Sequence, residues 1–252
     1  MPRTKQTIRR NHPSRDDVLT ALIVSNVQVS YTPTPSTPPL SKQRCLYVCK
    51  WISKACNYHL FAEPVNWQAL GLLDYPHIVQ QPMDFQTLTT YISSVGDDDF
   101  DFAEFLDKSR LIWANACMYN PSGHPVNSIA QRLANEFENK MTQMQSHTEE
   151  DNSTNLANQL QSLILGLQEE DYSEHFVHPV NLEMCASYAE HIYVPYCLEY
   201  ILDDLWNGVY GNRHDVKDDV DLIVQNAIVY NSANSFMGIA AKTLKEVSER
   251  LF

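Results

Sequence analysis

Asn115-Ala116-Cys117-Met118-Tyr119-Asn120 decides the fold, because the chain repeats it as Asn226-Ala227-Ile228-Val229-Tyr230-Asn231. Each copy closes a hydrophobic helical run with a tyrosine and an asparagine, and each opens on an asparagine five positions earlier. Upstream of the first stands Phe61-Ala62-Glu63-Pro64-Val65-Asn66, and upstream of the second Phe176-Val177-His178-Pro179-Val180-Asn181. Asn120 and Asn231 lie 111 positions apart. A unit has therefore been duplicated, and the 252 residues divide into two domains of about 110 each. A carboxamide at a helix end, beside a loop of apolar and aromatic residues, is what a pocket for a neutral amide requires.

Working outward, the periodicity is helical throughout. Leu46, Cys49, Ile52 and Cys56 recur at three and four and predict a first helix ending near His59. A loop holding Pro64, Gly71, Pro76 and Pro82 follows, too rich in proline for regular structure yet dense in Val65, Leu70, Leu72, Tyr75 and Ile78. A long loop with that much apolar surface is expected to be functional. A short helix starts near Asp84 and runs through Ile92. Asp101 with Glu104 reads as an acidic capping pair for the next helix, whose face carries Phe102, Phe105, Leu106, Ser109, Ile112, Trp113 and Ala116. Pro125 suits a first helical position, and Val126, Ile129, Leu133, Phe137 and Met141 mark the last helix of the unit. The second unit repeats the order, with helices over 153–168, 197–207, 214–230 and 235–252 and a loop over 172–196. No strand-like alternation competes. The expected fold is all-α: two four-helix bundles, each with a long ordered loop between its first and second helices. The boundaries are a disordered tail over 1–40 with a Pro/Ser/Thr run at 31–39, a first domain over 41–145, a linker over 146–152 and a second domain over 153–252.

Composition narrows the function. A net charge of −13 argues against duplex nucleic acid as a direct ligand, since phosphate binding needs clustered Lys and Arg, and it suits a basic peptide. The longest apolar run falls short of a bilayer span, so no membrane partner is expected. The six cysteines share no spacing between the units and read as reduced core thiols of an intracellular protein. No glycine-rich phosphate loop, nucleophile elbow or metal-ligand spacing appears, so neither enzyme activity, cofactor nor metal is expected.

The ordered set Phe61-x-x-Pro-Val-Asn66, Leu70-Gly-Leu-Leu-Asp-Tyr75, Ile78, Pro82-Met-Asp84 and Asn115 through Tyr119-Asn120 resembles a bromodomain, the acetyl-lysine reader. Residues 153–252 resemble a divergent bromodomain that keeps Phe176, Pro179-Val180, Tyr188, Ile192, Pro195, Asn226 and Tyr230-Asn231. There Pro-Met-Asp becomes Pro195-Tyr196-Cys197, and the loop from Asn181 to Tyr188 is two residues shorter than its counterpart. The pairing is similar to double bromodomain transcription factors, whose bundles are left-handed and up-down.

The resemblance implies a chemistry. The Asn120 carboxamide N–H would donate to the acetyl carbonyl, and Tyr75 would hold a water bridging to the same oxygen. Val65, Leu70, Leu72 and Val126 would line the channel, Phe61 would form its floor, and Tyr119 would support the wall. In the second unit Asn231, Tyr188, Val180, Phe176, Tyr230 and Met237 take the matching places. The direct hydrogen bond contributes only about 1 kcal/mol. Discrimination comes from the other side, because unmodified lysine would bury an ammonium at a cost of several kcal/mol. Affinity on the order of micromolar or weaker follows. Asn115 and Asn226 are read as helix-to-loop hydrogen bonding.

The implied function is a nuclear, non-enzymatic reader of acetylated histone tails of the H3/H4 class that recruits transcription or chromatin complexes. The alternative is a helical scaffold subunit of such a complex with little acetyl-lysine binding by the second domain. Residues 2–10, Pro-Arg-Thr-Lys-Gln-Thr-Ile-Arg-Arg, resemble the amino-terminal tail of histone H3. They read either as a histone-mimic tail or as an ordinary basic start.

Overall fold

A computed structural model describes residues 39–146, 164–166 and 174–251 of the chain. The expected tail, its H3-like start and the linker fall almost wholly outside these residues. In the first unit α1 (Lys42–Ile52) starts at Ser41, whose side chain accepts from the Arg44 amide. It stops at Ile52, seven residues short of the predicted His59. Asn57 takes the left-handed conformation (φ 68°), which asparagine tolerates. The Cys56 amide, instead of continuing the helix, donates to the Tyr193 carbonyl of the second unit at 2.8 Å.

A loop then leads through the short helix α2 (Tyr75–Ile78) to α3 (Phe85–Ser94). The first amides of α3 lack intrahelical acceptors and find others. Phe85 N donates to Phe61 O at 3.0 Å, Gln86 N to Ala62 O at 2.9 Å, and Thr87 N to the Asp84 carboxylate at 2.8 Å. These bonds pin the start of the loop against the bundle. The helix α4 (Phe102–Tyr119) is capped by Asp101, which accepts from the Ala103 amide. Glu104 does not complete the predicted capping pair; its carboxylate lies 3.4 Å from Lys108 one turn on. Pro125 opens α5 (Pro125–Ser146) as expected. Helix α1 packs on α3 and α5, and α4 packs on the same two, closing a four-helix ring. Phe85, Trp113 and Phe137 fill it, with ring centroids 5.4–6.3 Å apart.

The second unit contributes α6 (Glu174–Val177), α7 (Tyr188–His191), α8 (Leu198–Trp206), α9 (Arg213–Asn231) and α10 (Phe236–Leu251). Of the helix expected over 153–168, residues 164–166 are described; they are helical, and Ile164 is fully buried. The aromatic trio of the first unit is replaced here by Leu198, Val224 and Ser248 at the corresponding positions, all buried. The turn after α9 is also built differently. In the first unit the buried Asn127 side chain donates to Cys117 O at 3.2 Å and Asn120 O at 2.7 Å, satisfying carbonyls at the end of α4. In the second unit Gly238 occupies that place. A Cβ there would sit 2.1 Å from Ser232 O, and Ser232 itself holds φ 70°. Close backbone approach replaces the side-chain bond.

The two units share a buried polar seam. Asp219 on α9 is fully buried and accepts from Lys140 Nζ at 2.7 Å, from Tyr210 Oη at 2.8 Å and from Tyr47 Oη. Arg44 of α1 donates to Asp215 at 3.1 Å and to Met144 O at 2.7 Å. Burial pushes the Asp215 carboxyl above its usual range, against the pull of Arg44 and Lys140. Lys50 pairs with Asp203 and with the buried Asp204, which also accepts from Tyr196 Oη. The first-unit positions that correspond to Asp215 and Asp219, Glu104 and Lys108, remain partly open to solvent.

Removing one partner of a buried ion pair leaves the other charge uncompensated. Asp219→Ala is expected to lower unfolding free energy by about 3–5 kcal/mol. Replacing Lys140 by Met together with Asp219 by Leu should recover part of it, both read as urea midpoints. Gly238→Ala should cost about 1–3 kcal/mol through the clash with Ser232 in the same measurement, whereas Gly166→Ala, with open space around its Cβ position and no left-handed backbone, should cost less.

Candidate functional site

The loop and the α4–α5 turn meet at one end of the first bundle. Asn120 is the residue after α4, with extended backbone (φ −99°, ψ 121°). Its Nδ2 donates one hydrogen to Ala116 O at 2.9 Å, which fixes the plane of the carboxamide. A carboxamide carries a second amide hydrogen and an acceptor oxygen, so polar capacity remains for a ligand. Tyr75, buried on α2, meets Tyr119 edge-on with ring centroids 5.0 Å apart. Tyr119 Oη donates to Asp74 at 2.8 Å, tying the helix end to the residue before Tyr75. Burial first, then Asp84 and Tyr119, push the Tyr75 hydroxyl up to about 12, so it stays a neutral phenol at physiological pH.

Phe61 is buried with its ring edge-on to Trp113, centroids 5.1 Å apart. Val65, Leu72 and Val126 are half-buried, while Leu70 stands 64% exposed. The two loop leucines therefore differ: Leu72 packs inward and Leu70 sits at the rim. Asn115, as expected, holds the loop, donating to Gln81 O at 2.7 Å.

The second unit reproduces this frame despite its shorter loop. Tyr188 is buried and meets Tyr230 edge-on at 4.8 Å, and Asn226 donates to Val194 O at 2.9 Å. Asn231 Nδ2 donates to Ala227 O at 3.1 Å, the same one-turn-back bond that Asn120 makes. Val180 and Met237 are half-buried, and Phe176 is buried. Burial is the main cause that pushes the Tyr188 hydroxyl up to about 12. The differences lie at the helix end. Asn231 is still helical where Asn120 is extended, and Tyr230 Oη faces the neutral Ser187 Oγ at 3.3 Å instead of a carboxylate.

Three contributors escaped the sequence reading. Asp74 ties Tyr119 to the loop, and Asn127 secures the helix end. Trp67 is half-buried and organises the loop through main-chain bonds, its amide to Val65 O and its carbonyl to the Leu72 amide. Asp74 adjoins Tyr75 in sequence, and Asn127 is a polar residue on an otherwise apolar face of α5; those were the available signals. Cys117 is a buried thiol whose Sγ lies 3.9 Å from Asn127 O, and burial pushes its pKa up to about 11, consistent with packing and not with a nucleophile.

Comparison with known proteins places these residues. The bromodomain family model matches residues 45–132 and 160–243, which together make up more than half of the chain. "Transcription factor GTE5, chloroplastic" of Arabidopsis thaliana is 44% identical over 82 residues, covering 32% of this chain and 16% of that protein. "SWR1 complex bromodomain subunit bdf1" of Schizosaccharomyces pombe is 32% identical over 111 residues, covering 42% of this chain and 18% of that protein. A solved bromodomain from human BAZ1A shares 23% identity across 37% of this chain and 91% of its own, with a TM-score of 0.35. The chain spans less than a fifth of the length of these two curated relatives. With both family matches falling on the duplicated units, the chain belongs to the bromodomain family and carries two bromodomains in tandem.

Proposed function

We propose that this tandem bromodomain protein is a non-enzymatic reader of acetylated lysine on histone tails of the H3/H4 class. The observation that carries the proposal is the Asn120 carboxamide. It is held in one plane by its bond to Ala116 O at the end of α4, directly after Tyr119, whose ring meets the buried Tyr75 of the apolar loop edge-on. Acetylation removes the lysine charge and leaves an amide, which this frame suits. Asn120 donates to the acetyl oxygen, Tyr75 supplies its neutral hydroxyl through a water, and Val65, Leu72 and Val126 take the aliphatic stem. Phe61 closes the floor, Leu70 covers the rim and Tyr119 braces the wall. In the second unit Asn231, Tyr188, Val180, Phe176, Tyr230 and Met237 fill the same roles.

The names of the relatives support a chromatin setting, one of them being a SWR1 complex subunit. The protein is accordingly proposed to act in the nucleus and to bring transcription or chromatin complexes to acetylated tails. The acidic charge of −13 draws in basic tails over long range. The H3-like residues 2–10 read first as an ordinary basic start; a pull-down with residues 2–12 that recovers H3-tail binders would make them a histone mimic, and one that recovers none would remove that reading.

A second reading, a helical scaffold with little ligand binding by the second domain, is favoured by the positive φ at Ser232 and the helical Asn231. Paired variants separate the readings: Asn231→Ala should lower acetylated-peptide binding if both domains read the mark and leave it unchanged if the second is a scaffold, while Asn120→Ala tests the first site. Asn120→Ala should weaken binding of an acetylated H4-tail peptide about tenfold or more by calorimetry, from a parent dissociation constant on the order of micromolar. Its urea midpoint should stay at the parent value. An acetylated peptide that binds the parent and the variant alike would overturn the assignment.

A further inference from the structure

We propose that the first bromodomain is a working part of the second one's recognition loop: Arg132, together with the Cys56 amide, positions Tyr193 and through it Tyr188. The inference rests on the reading that the Tyr188–Asn231 site takes acetylated lysine, and it adds residues from outside that domain to the site's support.

Tyr193 stands one residue past the turn that α7 makes. Ile192 N donates to Tyr188 O at 2.8 Å, so the position of Tyr193 is transmitted to Tyr188 through a single closed turn. From inside its own bundle the loop is held by Asn226, which donates to Val194 O at 2.9 Å. From outside it is held by the first unit. Cys56 N donates to Tyr193 O at 2.8 Å, and the Arg132 guanidinium carbon lies 4.8 Å from the Tyr193 ring centroid. A guanidinium over a phenol face is attracted by the ring quadrupole, more so where water is excluded. Arg132 Nε is buried and finds no hydrogen-bond acceptor among the described residues, and the aromatic face is the contact the structure gives its guanidinium. Close by, Lys54 sits 4.2 Å over Tyr200 on α8 and fastens the same side of the loop.

The first unit offers an internal control. There the position corresponding to Tyr193 is Gln80, whose side chain bonds within its own turn, to His77 O at 2.9 Å. That loop is held locally. The second loop, two residues shorter and carrying an aromatic at this position, is held by its neighbour. The clamp also joins the two sites mechanically, because α5 carries both Val126 at the first site and Arg132 at the second. Arg132 is a positioning residue, since it acts through Tyr193 and not on the ligand.

The test uses the full chain carrying Asn120→Ala, so that only the second site reports. The probe is Nα,Nε-diacetyl-lysine methylamide, followed by NMR at Tyr188 and Asn231, with amide hydrogen exchange measured in parallel. Arg132→Ala should weaken the probe about fivefold. It should also speed exchange of the Cys56, Tyr188 and Ile192 amides, which donate within the loop and across to it, about tenfold, leaving the amides of α9 and α10 unchanged. Arg132→Lys, which keeps a cation over the ring, should restore both. Unchanged affinity and unchanged loop exchange in Arg132→Ala would overturn the clamp while leaving the second site intact. A parent that shows no response to the probe at Tyr188 or Asn231 would instead remove the second site, and the clamp's role in recognition with it.

Discussion

One buried carboxylate organises the assembly. Asp219 is completely removed from water and accepts from an ammonium and two phenols, two of which belong to the other domain. A carboxylate in such a place is stabilised only while its partners stay in register, because losing Lys140 leaves an uncompensated charge and losing a phenol leaves a buried acceptor unsatisfied. That requirement makes the polar seam specific. An apolar interface would tolerate sliding, whereas this one aligns α1 and α5 of the first domain against α9 of the second. Arg44–Asp215 and Lys50–Asp204 extend the same logic along the seam.

The seam also bears on how each domain is built. The first has an aromatic core around Trp113, and the corresponding positions of the second hold smaller side chains, ending in a buried serine. Tyr196 and Tyr210 both donate to carboxylates of the seam, and Tyr210 also packs its ring against Tyr47 of the first domain, with centroids 5.2 Å apart. The recognition loop of the second domain follows the same pattern, being fastened from both sides.

Much of this was legible in the sequence, for identifiable reasons. Helices with one apolar face leave a clear period, so α3, α4, α5, α9 and α10 fall within a few residues of expectation. The Tyr-Asn pairs and the asparagines five residues earlier form local hydrogen bonds, and Asn115 and Asn226 do what their spacing implied. What was illegible depends on partners distant in the chain. Helix α1 ends early because the Cys56 amide bonds a carbonyl 137 residues away, which no local pattern encodes. Glu104 reads as a cap but pairs with Lys108, since Asp101 alone satisfies the helix start. Asp215 and Asp219 look like a solvated helix face, and their burial could be suspected only by setting them against Glu104 and Lys108 in the other copy. The contrast between Asn127 and Gly238 was likewise hidden, because two unlike residues solve one problem at a helix end.

The central claim is that these two frames recognise acetylated lysine. Its most direct test is an NMR titration of the full chain with acetylated and unacetylated forms of the same H3 and H4 tail peptides. The account predicts acetyl-dependent shifts centred on Asn120 and Tyr75, with a second set at Asn231 and Tyr188. Indifference of all four residues to acetylation would contradict it and leave a helical scaffold in its place.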